Sequence, residues 1–156
     1  MRGRSWRGDR IKFIDANMFI YAYYKPRRRL SRREEAMKEY SKEISRRIIR
    51  GISRGEEEVM TTIVHISEIV NILKHGMSID DLNEATLALF MLDNVKIVDV
   101  DKGSYLAAVE LGRGLKLDPN DALAVGVMRE NEIREIYSFD RGFDKVEGLI
   151  RLPSHL

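Results

Sequence analysis

IKFIDANMFIYAYYKP (residues 11–26) decides the fold. Its first five residues form a short apolar run closed by Asp15, with the length and composition of a buried strand. Residues 17–24, NMFIYAYY, read as a short helix that stops near Pro26, because proline cannot continue a helix. The same unit recurs outward from there. Ser31 and Glu34 make a capping box ahead of a long polar helix from 32 to about 53. EVMTTIV (58–64) is a β-branched strand, and SEIVNILKH (67–75) a helix spaced through Ile69, Ile72 and Leu73, with Gly76 as its stop. Ser78 caps a helix through Leu92, VKIVDV (95–100) is a strand, and Asp101 caps a helix from 102 to about 113. Gly112 and Gly114 mark a loop, after which Asp118-Pro119 opens a helix to about Asn131, since aspartate caps and proline suits the first helical position. EIYSF (135–139) and LIRL (149–152) are the remaining strands. The order βα(α)βααβααβ(β) predicts an α/β fold, a three-layer α/β/α sandwich around a central parallel sheet of four to five strands. Ligands of such sheets bind beyond the C-terminal strand ends.

The 156 residues suit one domain, expected over 11–152 behind a basic arm at 1–10. Hydrophobic residues are 44% and charged residues 33%, a globular balance. Cysteine is absent, which excludes disulfides, thiolate zinc sites, iron–sulfur clusters and thiol nucleophiles. Glutamine is absent too, and with abundant Glu, Lys and Arg this points to a thermophilic source. The net charge of +2 conceals an asymmetry: residues 1–55 carry 17 Lys/Arg against 6 Asp/Glu, the remainder 10 against 19. After the basic start MRGRSWRGDR no uninterrupted apolar segment follows, and no run approaches the roughly 18 residues of a membrane helix. A soluble, cytoplasmic protein without membrane contact is expected.

Four carboxylates fall where the sheet rule places a site. Asp15 ends the first strand, Asp140 follows EIYSF, Glu68 lies in the first turn after EVMTTIV, and Asp121 lies in the first turn after Asp118-Pro119. Asp144, one turn beyond Asp140, is a fifth, auxiliary acid. Each has an ordinary explanation alone: Asp15 as a helix cap, Asp121 as the partner of Asp118 in a capping pair, Glu68 as a first-turn acid, Asp140 as a turn residue. Together they are harder to dismiss. Two carboxylates about 4 Å apart repel by about 4 kcal/mol at an effective dielectric near 20. Protonation relieves this, and so does a bound hard cation; oxygen ligands suit Mg²⁺ or Mn²⁺, which typically act on phosphates.

These segments resemble a known family. FIDANMFIY (13–21) is similar to the opening motif of PIN domains, a strand ending in Asp followed by a small residue and Asn or Ser. ISEIVNIL (66–73) resembles their second motif, and NDALAVGVMRENEIREIYSFDRGFDKV (120–146) their third block. The resemblance implies a metal-dependent endoribonuclease with Mg²⁺ or Mn²⁺ on Asp15, Glu68, Asp121 and Asp140, Asp144 assisting. It also matches Ser138 to the small hydroxyl residue two before the last Asp; Asn17 is an auxiliary residue that orients Asp15 or joins the site through a water. A small single-domain chain resembles the VapC-type toxins of toxin–antitoxin pairs, which implies an RNA substrate, an antitoxin partner and a homodimer.

The long helix departs from the common toxin pattern. Over 25–55, 12 Lys/Arg face only 4 Glu, so pairing along the helix cannot neutralise it. Arg27, Arg28, Arg29, Arg32, Arg33, Arg46 and Arg47 are candidate nucleic-acid contacts. His65 is read as structural, and Met60, Met77, Met91 and Met128 as core filler. The alternative function is a catalytically silent PIN-like module that binds RNA or protein. A DNA nuclease is a further reading on the same chemistry. An aspartyl-phosphate enzyme with Asp15 as nucleophile is disfavoured, because Asn17 stands where a second acid would be needed.

Overall fold

Asp15 is the hinge on which the chain first turns from strand to helix. A computed structural model describes residues 10–23 and 31–154. In it β1 (Ile11–Ile14) passes through Asp15 into α1 (Ala16–Tyr23). Then come α2 (Arg32–Ser53), β2 (Glu58–Thr62), α3 (Ile63–Leu73), α4 (Ile79–Met91), β3 (Val95–Val98), α5 (Lys102–Leu115), α6 (Pro119–Glu130) and β4 (Glu135–Tyr137). A single 3-10 turn (Arg141–Lys145) leads to β5 (Ile150–Leu152). The α/β/α architecture and the parallel sheet are as the sequence pattern predicts. The basic arm at 1–10 lies, Arg10 apart, outside the described residues, as do Arg27, Arg28 and Arg29.

All strand pairs are parallel, in the order β3-β2-β1-β4-β5. The sheet therefore grows one way from β1 to β2 and β3, and the other way to β4 and β5. The reversal lies between β1 and β4, and at such a switch point the crossover connections diverge and leave a crevice. Alternation along each strand divides the core in two. Phe13, Met60 and Ile136 are in register and pack with Ala108, Leu123, Val127 and Met128 of α5 and α6. Ile14, Val59, Val95 and Tyr137 face the other way, against Met18, Phe19, Ile52, Ile66 and Ile69 of α1, α2 and α3.

Three local readings change. β2 ends at Thr62, and the β-branched Ile63 and Val64 begin α3, because the Thr62 hydroxyl caps it by accepting the His65 amide at 3.2 Å. Glu68 thus sits in the second helical turn, not the first. Gly112 and Gly114 belong to α5 rather than to a loop; a Cβ at Gly112 would stand 2.6 Å from the Leu117 carbonyl, so glycine lets the α5–α6 turn close. Met60 and Met128 are buried as expected, but Met91 is 76% exposed on α4 and Met77 only half-buried, since α4 turns just Leu82 fully inward.

The predicted capping box of α2 is present: Ser31 Oγ accepts from the Glu34 amide and Glu34 answers on the Ser31 amide, at 3.3 and 2.9 Å. From Ser41 onward it is anchored by buried Ser41, Ser45 and Ile52, whereas residues 32–37 are exposed all round. No helix among the described residues is long and apolar enough to cross a membrane.

Candidate active site

The switch point gathers the acids. Asp15 is 6% exposed. One carboxylate oxygen accepts the Ala16 amide at 2.8 Å and the other the Ser138 hydroxyl at 2.7 Å. Burial pushes its pKa up to about 6; the Ser138 and Ala16 bonds oppose the rise, and the Glu68 and Asp140 charges add to it.

Ser138 ties the two central strands together. Its Oγ donates to Asp15, accepts from Asn17 Nδ2 at 3.3 Å and accepts from the Asp140 amide at 3.0 Å. One hydrogen and two lone pairs are the whole capacity of a hydroxyl, so the residue is saturated. Asn17 Oδ1 in turn accepts the Phe139 amide at 3.4 Å. The Asp15 amide donates to the Tyr137 carbonyl at 2.9 Å, which extends the β1–β4 ladder up to the site. Ser138 and Asn17 thus hold Asp15 and Asp140 in fixed relation.

Asp140 follows β4 and caps the 3-10 turn, accepting the Gly142 amide at 2.8 Å. A Cβ on Gly142 would stand 3.0 Å from that same oxygen. Asp121 comes from the first turn of α6, whose cap Asp118 accepts the Asp121 amide at 2.9 Å. The Asp121 carboxyl is half-buried, and the Asp140 charge lies close enough to raise its pKa. Burial, then the charges of Asp15, Asp118 and Asp140, push Asp121 up to about 8.

Glu68 arrives from α3. Burial raises its pKa, a hydrogen bond from Asn120 lowers it, and the Asp118 charge raises it. Asn120 Nδ2 donates to Glu68 Oε1, and Asn120 Oδ1 accepts the Tyr105 hydroxyl at 2.6 Å. Neither Asn120 nor Tyr105 stood out in the sequence. Asn120 could have been found as the amide immediately before Asp121 in a capped first turn; Tyr105 carries no signal, because α5 meets the site only through the fold.

The other predicted residues lie apart from this group. Asp144 turns to Arg151, which binds both its oxygens at 2.7 and 3.2 Å and holds its pKa below the usual carboxylate range. The guanidinium is buried and also donates to the Ser138 and Pro153 carbonyls at 3.3 Å. His65 is fully buried: its Nδ1 lies 2.7 Å from Thr62 Oγ1 and its ring stands edge-on to Phe13. Burial pushes its pKa down to about 4, against a smaller upward pull from the Asn120 backbone and Asp118, so it is neutral at pH 7. Arg32, Arg33, Arg46 and Arg47 are exposed on α2. Arg46, Arg47 and Arg50 line a groove of about 610 Å³ with Glu39, Tyr40 and Glu43. An ion pair along it, Arg47 to Glu43 at 3.6 Å, is exposed on both sides and adds little stability.

The donor chemistry fits a hard cation: only oxygen ligands, crowded enough that neighbouring carboxylate charges raise the pKa of Asp15 and Asp121. Among the described residues, though, no three His, Cys, Asp or Glu side chains close on a point as a finished coordination cage would.

The PIN domain model matches residues 12–149, nearly the whole described sheet. The chain belongs to the PIN domain family. PIN domains are nucleases and generally use divalent metal ions. No curated protein matches the sequence. Among solved structures, this PIN domain is similar to VapC20 of Mycobacterium tuberculosis, described as a sarcin-ricin loop cleaving toxin, at 19% identity and TM-score 0.58 over 84% of this chain and 90% of that one. PAE2754 from Pyrobaculum aerophilum is similar at 13% identity and TM-score 0.56, over 95% and 94%. VapBC2 from Rickettsia felis, bound to a DNA fragment from its promoter, is similar at 15% identity and TM-score 0.56, over 90% and 96%. At these identities the likeness is one of fold.

Proposed function

We propose that this PIN domain is a metal-dependent endoribonuclease that hydrolyses RNA phosphodiester bonds, and that it is the toxin of a toxin–antitoxin pair. The observation that carries the reading is the group Asp15, Glu68, Asp121 and Asp140 at the sheet's switch point, where burial raises the pKa of Asp15, Glu68 and Asp121. Asp15, Glu68, Asp121 and Asp140 would hold Mg²⁺ or Mn²⁺. A bound ion of this kind supplies Lewis-acid activation of water and neutralises charge on the phosphodiester. The chain's own residues do the rest. Ser138 and Asn17 keep the Asp15 carboxylate aimed, and the Gly142 amide does the same for Asp140. The proton that Asp121 holds at pH 7 would leave on loading, because ligands bind deprotonated. Exposed Arg32, Arg33, Arg46 and Arg47 on α2 offer phosphate contacts away from the acids, which favours a long polyanion over a mononucleotide. Arg27, Arg28 and Arg29 belong to the same proposal from sequence alone.

The fold likeness to VapC20 and VapBC2 supports the toxin reading and a cognate antitoxin as partner; a homodimer belongs to the proposal from the sequence resemblance alone. A second reading, the catalytically silent binding module, draws on the absence of three converging ligands among the described residues. Purified protein incubated with single-stranded RNA or DNA and Mn²⁺ separates the two. RNA cleavage that chelation stops supports the nuclease; salt-sensitive RNA binding without cleavage at any Mn²⁺ concentration supports the silent module, and cleavage of DNA alone overturns the RNA assignment.

A further inference from the structure

Among the acids of the site, Asp15 is held by two hydrogen bonds and Asp140 by a backbone amide, both at the β1–β4 junction. Glu68 comes from α3 on a longer side chain with more rotamer freedom to lose. Its anchor is the amide of Asn120, a half-buried side chain in the first turn of α6. Asn120 is the immediate neighbour of Asp121, so one helical turn carries both an acid of the site and the group that aims another.

An asparagine amide is ambivalent: the NH₂ end attracts a carboxylate and the oxygen end repels it. The carboxylate, which only accepts, selects the NH₂ end, and Tyr105 on α5 steadies the amide in that sense. Its hydroxyl donates to Asn120 Oδ1 at 2.6 Å and leaves the NH₂ end for Glu68. A flipped amide would lose the Glu68 bond and set two oxygens face to face. We propose that Tyr105 and Asn120 form a positioning relay, Tyr105 to Asn120 to Glu68, which fixes Glu68 for the divalent ion. This rests on the nuclease reading above, since it assumes that Glu68 is a ligand.

The arrangement makes the relay sequential, and that is what separates it from ordinary packing. Tyr105→Phe keeps the ring and removes only the hydroxyl; Asn120→Ala removes the amide. Calorimetric titration of the RNA-free protein with Mn²⁺ reads ion affinity directly, with no turnover involved. Asn120→Ala is expected to weaken Mn²⁺ by about 10- to 100-fold, the usual range for a residue that orients a ligand. Tyr105→Phe is expected to weaken it less, by about 2- to 12-fold, the worth of one hydrogen bond. In the Asn120→Ala background, Tyr105→Phe should add nothing, because the hydroxyl has no amide left to orient. Thermal melting of each variant in chelator checks that it folds. Wild-type affinity in Asn120→Ala, or an equal Tyr105→Phe effect in both backgrounds, overturns the relay while leaving the nuclease reading intact. A wild-type protein that binds no Mn²⁺ overturns both.

Discussion

Asp15, buried at the end of β1, carries two opposed properties. Its burial costs stability when it is charged, yet its charge is what a cation would use. The folded pKa of about 6 lies above the ordinary value of 3.8. A carboxyl whose pKa is raised by folding is most favourable while protonated, so stability is lost as pH rises from about 4 through 6, and Asp121 extends the loss to about 8. For Asp15 the loss is about 3 kcal/mol at its full extent. His65 acts oppositely: its depressed pKa of about 4 removes stability as pH falls below about 6.5. Melting curves in chelator should therefore show Asp15→Asn more stable than wild type at pH 8 and nearly equal to it at pH 4. A variant less stable at both would contradict the assigned burial cost. Ser138 was legible as a small hydroxyl two residues before an acid. Its saturation by Asp15, Asn17 and Asp140 was not, because those partners sit on separate segments.

At the scale of elements, helix boundaries followed the caps. Ser31, Ser78, Asp101 and Asp118 all cap helices in the structure, each by a local hydrogen bond that sequence spacing reveals. Thr62 is a fifth cap that β-propensity hid, since Ile63 and Val64 favour strands wherever no cap intervenes. Gly112 shows the converse: a glycine that reads as a loop is a contact between helices. Gly112→Ala should destabilise the protein by about 1–3 kcal/mol in denaturant unfolding, because the added methyl meets the backbone carbonyl of Leu117. The α2 groove makes a different prediction. In an Asp15→Asn background, reversing Arg46, Arg47 and Arg50 to Glu should lower RNA affinity and reduce the slope of log K against log salt by about 2, the share of three single-strand phosphate contacts. An unchanged slope would remove α2 from the RNA path.

For the whole molecule, the sheet order explains why residues far apart in sequence meet. β1 and β4 are separated by most of the chain, yet their C-terminal ends adjoin at the switch point, and α3 and α6 bring Glu68 and Asp121 beside them. The alternation of strands and helices made the sheet legible, whereas its order and the Asn120–Tyr105 contacts depend on tertiary packing that no local pattern encodes. The near-cancelling charge also resolves spatially: much of the basic excess is displayed on α2, while the acids of the site are drawn into the crevice. Adding Mn²⁺ should raise the melting temperature, with about 2.7 kcal/mol gained at 100 times Kd, and the gain should grow with pH as the acids give up their protons. A shift that is absent, or that shrinks with pH, would contradict a carboxylate site. The most direct test of the central claim is the rate of cleavage of single-stranded RNA with Mn²⁺, wild type against Asp15→Asn. The account predicts cleavage by wild type, its loss in chelator, and a fall of more than about a hundredfold in the folded variant; undiminished cleavage by Asp15→Asn would contradict it.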